Sequence, residues 1–327
     1  MTPLQSLRRG LFLSCLALLV ALMAPLLAGE APLAARREGN LCFPALRSLP
    51  LLGRSLDCPG GAALDWPRIR GDGGGGVLLD PPIPYGPGTS DLDSVLAPPS
   101  RSHWMGTDSL GRDVAARLIH GFPVALLVGG LATLLALLLG ISIGAAAGAG
   151  GKWLDLGLSR FIDLVACFPT LVLALALVAV APRPGIWVLV LAIAATRWTG
   201  MARYFRGEVL RQRDLAYCEA ARAAGAGRPY LLARHILPNA LSPILVTAAF
   251  SVSSAVLLEA GMSFLGLGVP PPAPSWGSIL AEARQQTVPA WWLVLFPSLA
   301  LFATVLGCTL LAEGYRDSTD PRLTRVG

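Results

Sequence analysis

Residues 214–239 read D-L-A-Y-C-E-A-A-R-A-A-G-A-G-R-P-Y-L-L-A-R-H-I-L-P-N. Residues 214–224 are good helix formers, with Asp214 of the type that caps a helix N-terminus. Gly225 and Gly227 suit a helix stop and a turn that needs positive φ. Pro229 fits the first turn of a second helix, and Pro238 limits that helix. The stretch therefore predicts two short helices joined by an elbow of small residues. Ala220, Ala221, Ala223, Ala224 and Gly225 present almost no side-chain bulk, and Glu219 adds one negative charge at the start of the patch. Such a surface admits the close approach of another protein.

Outward from this elbow the sequence turns apolar. Of 327 residues, 54% are hydrophobic and 14% charged, whereas soluble domains carry about 25% charged residues. The mean hydropathy is +0.61. The 36 glycines and 27 prolines exclude a coiled coil. An all-α integral membrane protein is the expected class. A spanning helix needs about 20 mostly apolar residues. Six runs qualify as expected transmembrane helices: residues 11–28, 122–149, 156–181, 186–199, 241–265 and 291–312. The first is longer than the apolar core of about 7–15 residues in a signal peptide, and no clean A-x-A site follows it, so it is read as a retained helix.

Basic residues mark cytoplasmic loops. Between the fourth and fifth runs stand Arg197, Arg203, Arg206, Arg211, Arg213, Arg222, Arg228 and Arg234, opposed only by Glu208, Asp214 and Glu219. The elbow is therefore expected inside, and alternation through six spans puts both termini in the cytoplasm. The resulting organisation is a tail and first helix over residues 1–29, then an extracytoplasmic loop and interfacial segment over 30–121. A five-helix core follows over 122–312, with its cytoplasmic loop at 200–240, and a cytoplasmic tail over 313–327.

Of 26 basic residues all but Lys152 are arginine. Lys152 has no G-x-x-x-x-G before it and Trp153 after it, so the chain has no Walker A loop for ATP. Gly71 to Gly76 is a flexible linker with no lysine behind it. The arginines follow membrane orientation rather than a nucleic-acid patch. His103, His120 and His235 lack metal-ligand spacing, so no metal and no cofactor is expected. Ser263 has no histidine base in any later span, which argues against an intramembrane hydrolase and against enzymatic activity in general.

Several residues stay open between a bland and a functional reading. Gly140, Gly144 and Gly148 stand four apart, for tight packing inside the chain or for a subunit interface. Asp163 follows Arg160 by three residues, as a local ion pair or as a pathway group. Glu259 has no local basic partner in sequence and is a candidate for lining a path or facing another subunit. Cys42 and Cys58 both fall in the outside loop and form either a disulfide or two free thiols. Thr107, Asp108 and Ser109 are cap-type residues ahead of a short outer helix from Arg112 to Ile119.

Glu219-Ala220-Ala221, Gly225 and His235-Ile236-Leu237-Pro238 resemble the EAA loop of bacterial ABC-importer permeases, E-A-A-x3-G-x9-I-x-L-P, with His235 at the first Ile position. Gly106-Thr107-Asp108-Ser109-Leu110-Gly111-Arg112-Asp113 resembles the G-T-D-x-L-G-R-D signature of the dipeptide, oligopeptide and nickel branch. Ser263 to Gly268 with Pro274-Ser275-Trp276-Gly277, and Arg316-Asp317 with Asp320-Pro321-Arg322, resemble other segments of that branch. The ordered set and the long first outside loop are similar to its second, C-type permease. The resemblance implies a type I importer (MetI-like) permease fold with six transmembrane helices. It also implies a non-catalytic subunit that forms half of a peptide pathway in the bacterial inner membrane, in place of nickel-chelate transport. The implied partners are a second permease, two ATPase subunits that bind the ATP, an extracytoplasmic substrate-binding protein and the lipid bilayer. In that family the EAA loop docks into the ATPase, and the outer signature belongs to the outer vestibule. The rival is a self-sufficient secondary transporter, which commonly shows internal repeats and midplane ion ligands. Only Glu259 offers such a ligand, and the last three spans do not repeat the first three.

Overall fold

The computed structural model describes residues 3–37, 40–48, 66, 69, 76–183, 185–286 and 290–319. Helix α1 (Pro3–Leu27) is apolar all round, as a lipid-facing span should be. A small antiparallel sheet follows: β1 (Ala34–Arg37), β2 (Asn40–Cys42) and β3 (Val77–Leu79), in the order β2-β1-β3. The all-α expectation is corrected here. Local pairing of Arg36 with Leu41 closes β1 on β2, and Ala34 opposite Leu79 adds β3.

The remaining helices are α2 (Val114–Ala149), α3 (Lys152–Ala166), α4 (Thr170–Val180), α5 (Ile186–Arg213), α6 (Ala216–Ala223), α7 (Arg228–Leu231), α8 (Leu237–Phe264), α9 (Trp276–Arg284) and α10 (Trp292–Thr319). Four stretches among the described residues are long and apolar enough to cross a membrane: Leu7–Leu27, Val114–Ala149, Arg228–Phe264 and Trp292–Asp317. The expected third span is two helices, α3 and α4, bent by 84°. The break falls at Cys167, Phe168 and Pro169, where a proline excludes the helical conformation from the residue before it. The expected fourth span is only the first half of α5. The helix runs on to Arg213 because Met201, Ala202, Arg203, Arg206, Leu210 and Gln212 are all good helix formers. No separate helix covers residues 112–119. Val114 opens the 36-residue α2, which absorbs Pro123; one lost hydrogen bond, about 3 kcal/mol, does not end so long a helix.

The chain divides into two units. One comprises residues 1–14, 127–262 and 302–327. Its core gathers Trp198, Met201, Ala202, Phe205 and Val209 of α5 with Ala136 of α2, Cys218 of α6 and Ile236, Ala240 and Ile244 toward and along α8. Gly140, Gly144 and Gly148 face α5 in this core. A Cβ at these positions would stand 2.6 Å from Met201 Cβ, 2.6 Å from the Ala202 carbonyl oxygen and 2.8 Å from Val209 Cβ. Their spacing thus serves packing within the chain. Gly10 meets the backbone of Leu311 and Gly314 meets Leu7, so α1 and α10 also cross at glycines.

The other unit comprises residues 15–126 and 263–301. Val114, Ile279, Ala290, Trp292 and Leu293 form one apolar cluster, and Ala28, Ile83, Ala115 and Ala116 form a second. Trp276 is buried and donates from Nε1 to the Leu118 carbonyl at 3.0 Å, while its ring meets Phe122 edge-on.

Candidate functional site

The elbow folds as a terminated helix and a restart. Asp214 closes α5 rather than capping α6, because the helix formers before it run on to Arg213 and its backbone N–H bonds back into that helix. Leu215 stands at the α6 N-cap with no side-chain bond. At the other end, the Ala226 N–H bonds to the Ala221 carbonyl at 3.0 Å and the Gly225 N–H to the Arg222 carbonyl at 2.9 Å. This is the Schellman pattern, and Gly225 supplies its positive φ of 90°. Pro229 lies in the first turn of α7. A single π turn, Leu232–Ile236, then carries the chain into α8. Pro238 does not limit the second helix as expected. The carbonyl its ring would strike belongs to Arg234, inside that widened turn.

The elbow is anchored from beneath and open above. Cys218, Leu231 and Ile236 are buried. Glu219, Ala220, Ala223, Ala224 and Gly225 are exposed, Ala221 half-buried. A polar chain fixes its start: the Tyr217 hydroxyl donates to Gln212 Oε1 at 2.7 Å, and Gln212 Nε2 donates to Glu208 at 2.7 Å. Arg211 also donates to Glu208. Burial pushes the Tyr217 phenol above its ordinary pKa, so it stays a neutral donor. Tyr230 meets the His235 ring edge-on at 5.6 Å, with Tyr217 at 6.3 Å. Leu237 and Pro238 open α8. The arrangement is a rigid convex knob with one carboxylate.

The outer signature forms a second constellation, in the other unit. Gly106 and Gly111 adopt positive φ, of 74° and 70°. A Cβ at Gly106 would lie 2.7 Å from the Ala97 carbonyl oxygen and 2.9 Å from the Trp292 ring. Thr107 accepts from the Ala97 N–H at 2.8 Å and donates to the Ser94 carbonyl. Asp113, not residues 107–109, binds the first turn of α2: its Oδ1 accepts from the Ala116 N–H at 2.8 Å. Its Oδ2 meets His103 Nδ1 at 2.9 Å. Asp108 is fully buried and accepts from the Leu110 and Arg112 N–H groups, from Arg112 Nε at 2.8 Å and from Arg117. Glu282 completes the cluster, taking Arg112 Nη2 at 2.9 Å and both terminal nitrogens of Arg117 at 2.8 Å.

Two carboxylates thus balance two guanidiniums, and the cluster ties the signature loop to α2 and α9. Arg117 and Glu282 were missing from the sequence reading. Glu282 is the only acidic residue in 263–301, a lone carboxylate in an apolar region, and that was the available signal.

The remaining candidates lie apart. Asp163 accepts from Arg203 at 3.1 Å and lies 3.8 Å from Arg160, all three exposed. Glu259 is fully buried on α8. Ser263 is buried at the end of α8, and its Oγ accepts from the Val269 N–H at 3.2 Å. Cys42 is buried and disulfide-bonded; Cys58 lies outside the described residues. No group of acidic, histidine and cysteine side chains that could hold a metal ion occurs among the described residues.

Residues 136–325 match the family model described as binding-protein-dependent transport system inner membrane component. A protein named as a peptide permease from Brucella suis biovar 1 is 42% identical over 242 residues, 73% of this chain and 80% of that one. One named as a peptide transport system permease from Brucella abortus is 40% identical over 252 residues, 77% and 84% of the two chains. A glutathione transport system permease from Pectobacterium atrosepticum is 40% identical over 233 residues, 71% and 77% of the two.

Proposed function

The chain belongs to the family of inner membrane components of binding-protein-dependent transport systems, and from that premise we propose that it is the peptide-conducting permease subunit of an ATP-driven importer, coupled to its ATPase through the elbow at residues 214–239. It is a multi-pass transport subunit and not an enzyme. The peptide substrate is supported by relatives named for peptide and glutathione transport. A second permease supplies the other half of the pathway, two ATPase subunits bind the nucleotide, and an external binding protein delivers the substrate. Six crossings, with α3–α4 and the apolar half of α5 as two of them, put both termini and the elbow in the cytoplasm.

One observation carries the coupling role. The exposed Glu219, Ala220, Ala224 and Gly225 form a convex, nearly side-chain-free surface on a buried footing, and the helix behind it runs from Arg228 to Phe264. A knob of this kind seats in a groove of another protein and passes that protein's movement into the membrane. Glu259 lies on the same helix and is our candidate for lining the path; Asp163 is assigned the local ion pairs. Glu219→Lys and Gly225→Trp should abolish ATP-driven peptide uptake while the chain still inserts at normal levels. Uptake at the unmodified rate in both variants would remove the docking role.

A further inference from the structure

Beside the elbow, in the same unit, lies a cleft of about 710 Å³. Its cations come from four segments: Lys152 at the start of α3, Arg213 at the end of α5, Arg222 on α6 and Arg228 at the start of α7. A single carboxylate, Asp214, lines it, and Arg213 holds that group at 3.4 Å. Arg222 is fixed toward the cleft by donating to the Arg213 carbonyl. Asp155, the nearest other acid on α3, is engaged by Arg206. The cleft therefore carries a net charge of three positive, four cations less one carboxylate. Its remaining lining is apolar or glycine: Ala149, Val209, Leu231, Leu232 and Ile236 below, Gly150, Gly151 and Gly227 at the mouth.

We propose that this cleft binds the phosphate headgroup of an anionic phospholipid. Charge calls for an anion, and arginine forks match phosphate oxygens. Position selects lipid over free phosphate. Ala149 ends one apolar span and the Arg228–Phe264 span begins at the cleft, so it lies where the hydrocarbon gives way to headgroups. Basic pockets between membrane helices at this depth suit phospholipid headgroups, and the apolar floor gives the glycerol and first acyl carbons a surface that inorganic phosphate cannot use. A bound lipid would bridge the α2–α3 turn, the end of α5 and the elbow in one contact. Its effect on transport rests on the docking role proposed above; the binding does not.

The test is native mass spectrometry of the full chain, purified with its associated subunits and titrated with dioctanoyl phosphatidylglycerol or dioctanoyl phosphatidylcholine, without nucleotide. Phosphatidylglycerol should be retained and phosphatidylcholine not. Lys152→Gln, Arg222→Gln and Arg228→Gln should each weaken retention about fivefold. Arg222→Lys and Arg228→Lys, which keep the charge and control for folding, should retain it. Glu219→Lys should lose uptake yet bind lipid normally, which separates this site from the coupling role. Equal retention of both lipids, indifference to the three glutamine variants, or full competition by inorganic phosphate at the same concentration would overturn the assignment.

Discussion

Arg117 of α2 and Glu282 of α9, 165 positions apart in sequence, form a two-pronged ion pair with both contacts at 2.8 Å. Arg117 is only 3% exposed, so its charge depends on Glu282 and on the fully buried Asp108. Removing one partner of a buried pair costs about 3–5 kcal/mol, because the other charge is stranded. Glu282→Gln and Arg117→Leu should each lower thermal stability in detergent sharply. The double variant should lose less than the two losses summed. Additive losses would show that the two groups act separately.

The glycine face of α2 makes a graded prediction. A Cβ at Gly144 would sit 2.6 Å from a backbone oxygen of α5, whereas one at Gly200 meets nothing within 4 Å. Gly144→Val should cost about 1–3 kcal/mol or prevent folding. Gly200→Ala should be neutral or slightly stabilising, since alanine is the better helix former. Detergent melting curves of the two variants measure the contrast.

At Gly225 conformation and space can be separated. Its φ of 90° penalises any Cβ, yet a Cβ there meets nothing within 4 Å. Gly225→Val should strain the turn by about 1–2 kcal/mol and reduce uptake at equal membrane abundance. Gly225→Asn, which tolerates positive φ, should retain more activity. Uptake assays with quantified membrane levels test the ranking.

Cys42 is buried and disulfide-bonded, while Cys15, Cys167, Cys218 and Cys308 are free. With Cys58 as the partner, Cys58→Ser should expose one new thiol and cost about 3 kcal/mol in the loop-entropy model. Maleimide labelling of the denatured chain, with and without reductant, counts the thiols. An unchanged count in the non-reduced variant would exclude Cys58.

Local chemistry was legible and distant pairing was not. The elbow could be read because glycine at a helix end and proline at a helix start act within a few residues. The glycine spacing on α2 gave a packing face but not its partner, α5. Asp108 and Arg112 were visible as a motif, while Glu282 joins them only after the chain returns in α9. The sheet escaped because its strands are only three or four residues long. The continuation of α5 escaped because hydropathy marks where a membrane ends, not where a helix does. Pro238 misled because the bulge at Leu232–Ile236 relieves the clash that normally stops a helix.

That bulge has a mechanical consequence. It leaves Arg228–Phe264 as one stretch of 37 residues, a strut about 55 Å long. Pivoting such a strut by about 10° around its middle swings each tip through about 5 Å in opposite directions. A push at the inner tip is thereby reversed in sense at the outer one, so closing on one side and opening on the other become a single motion of a single lever arm.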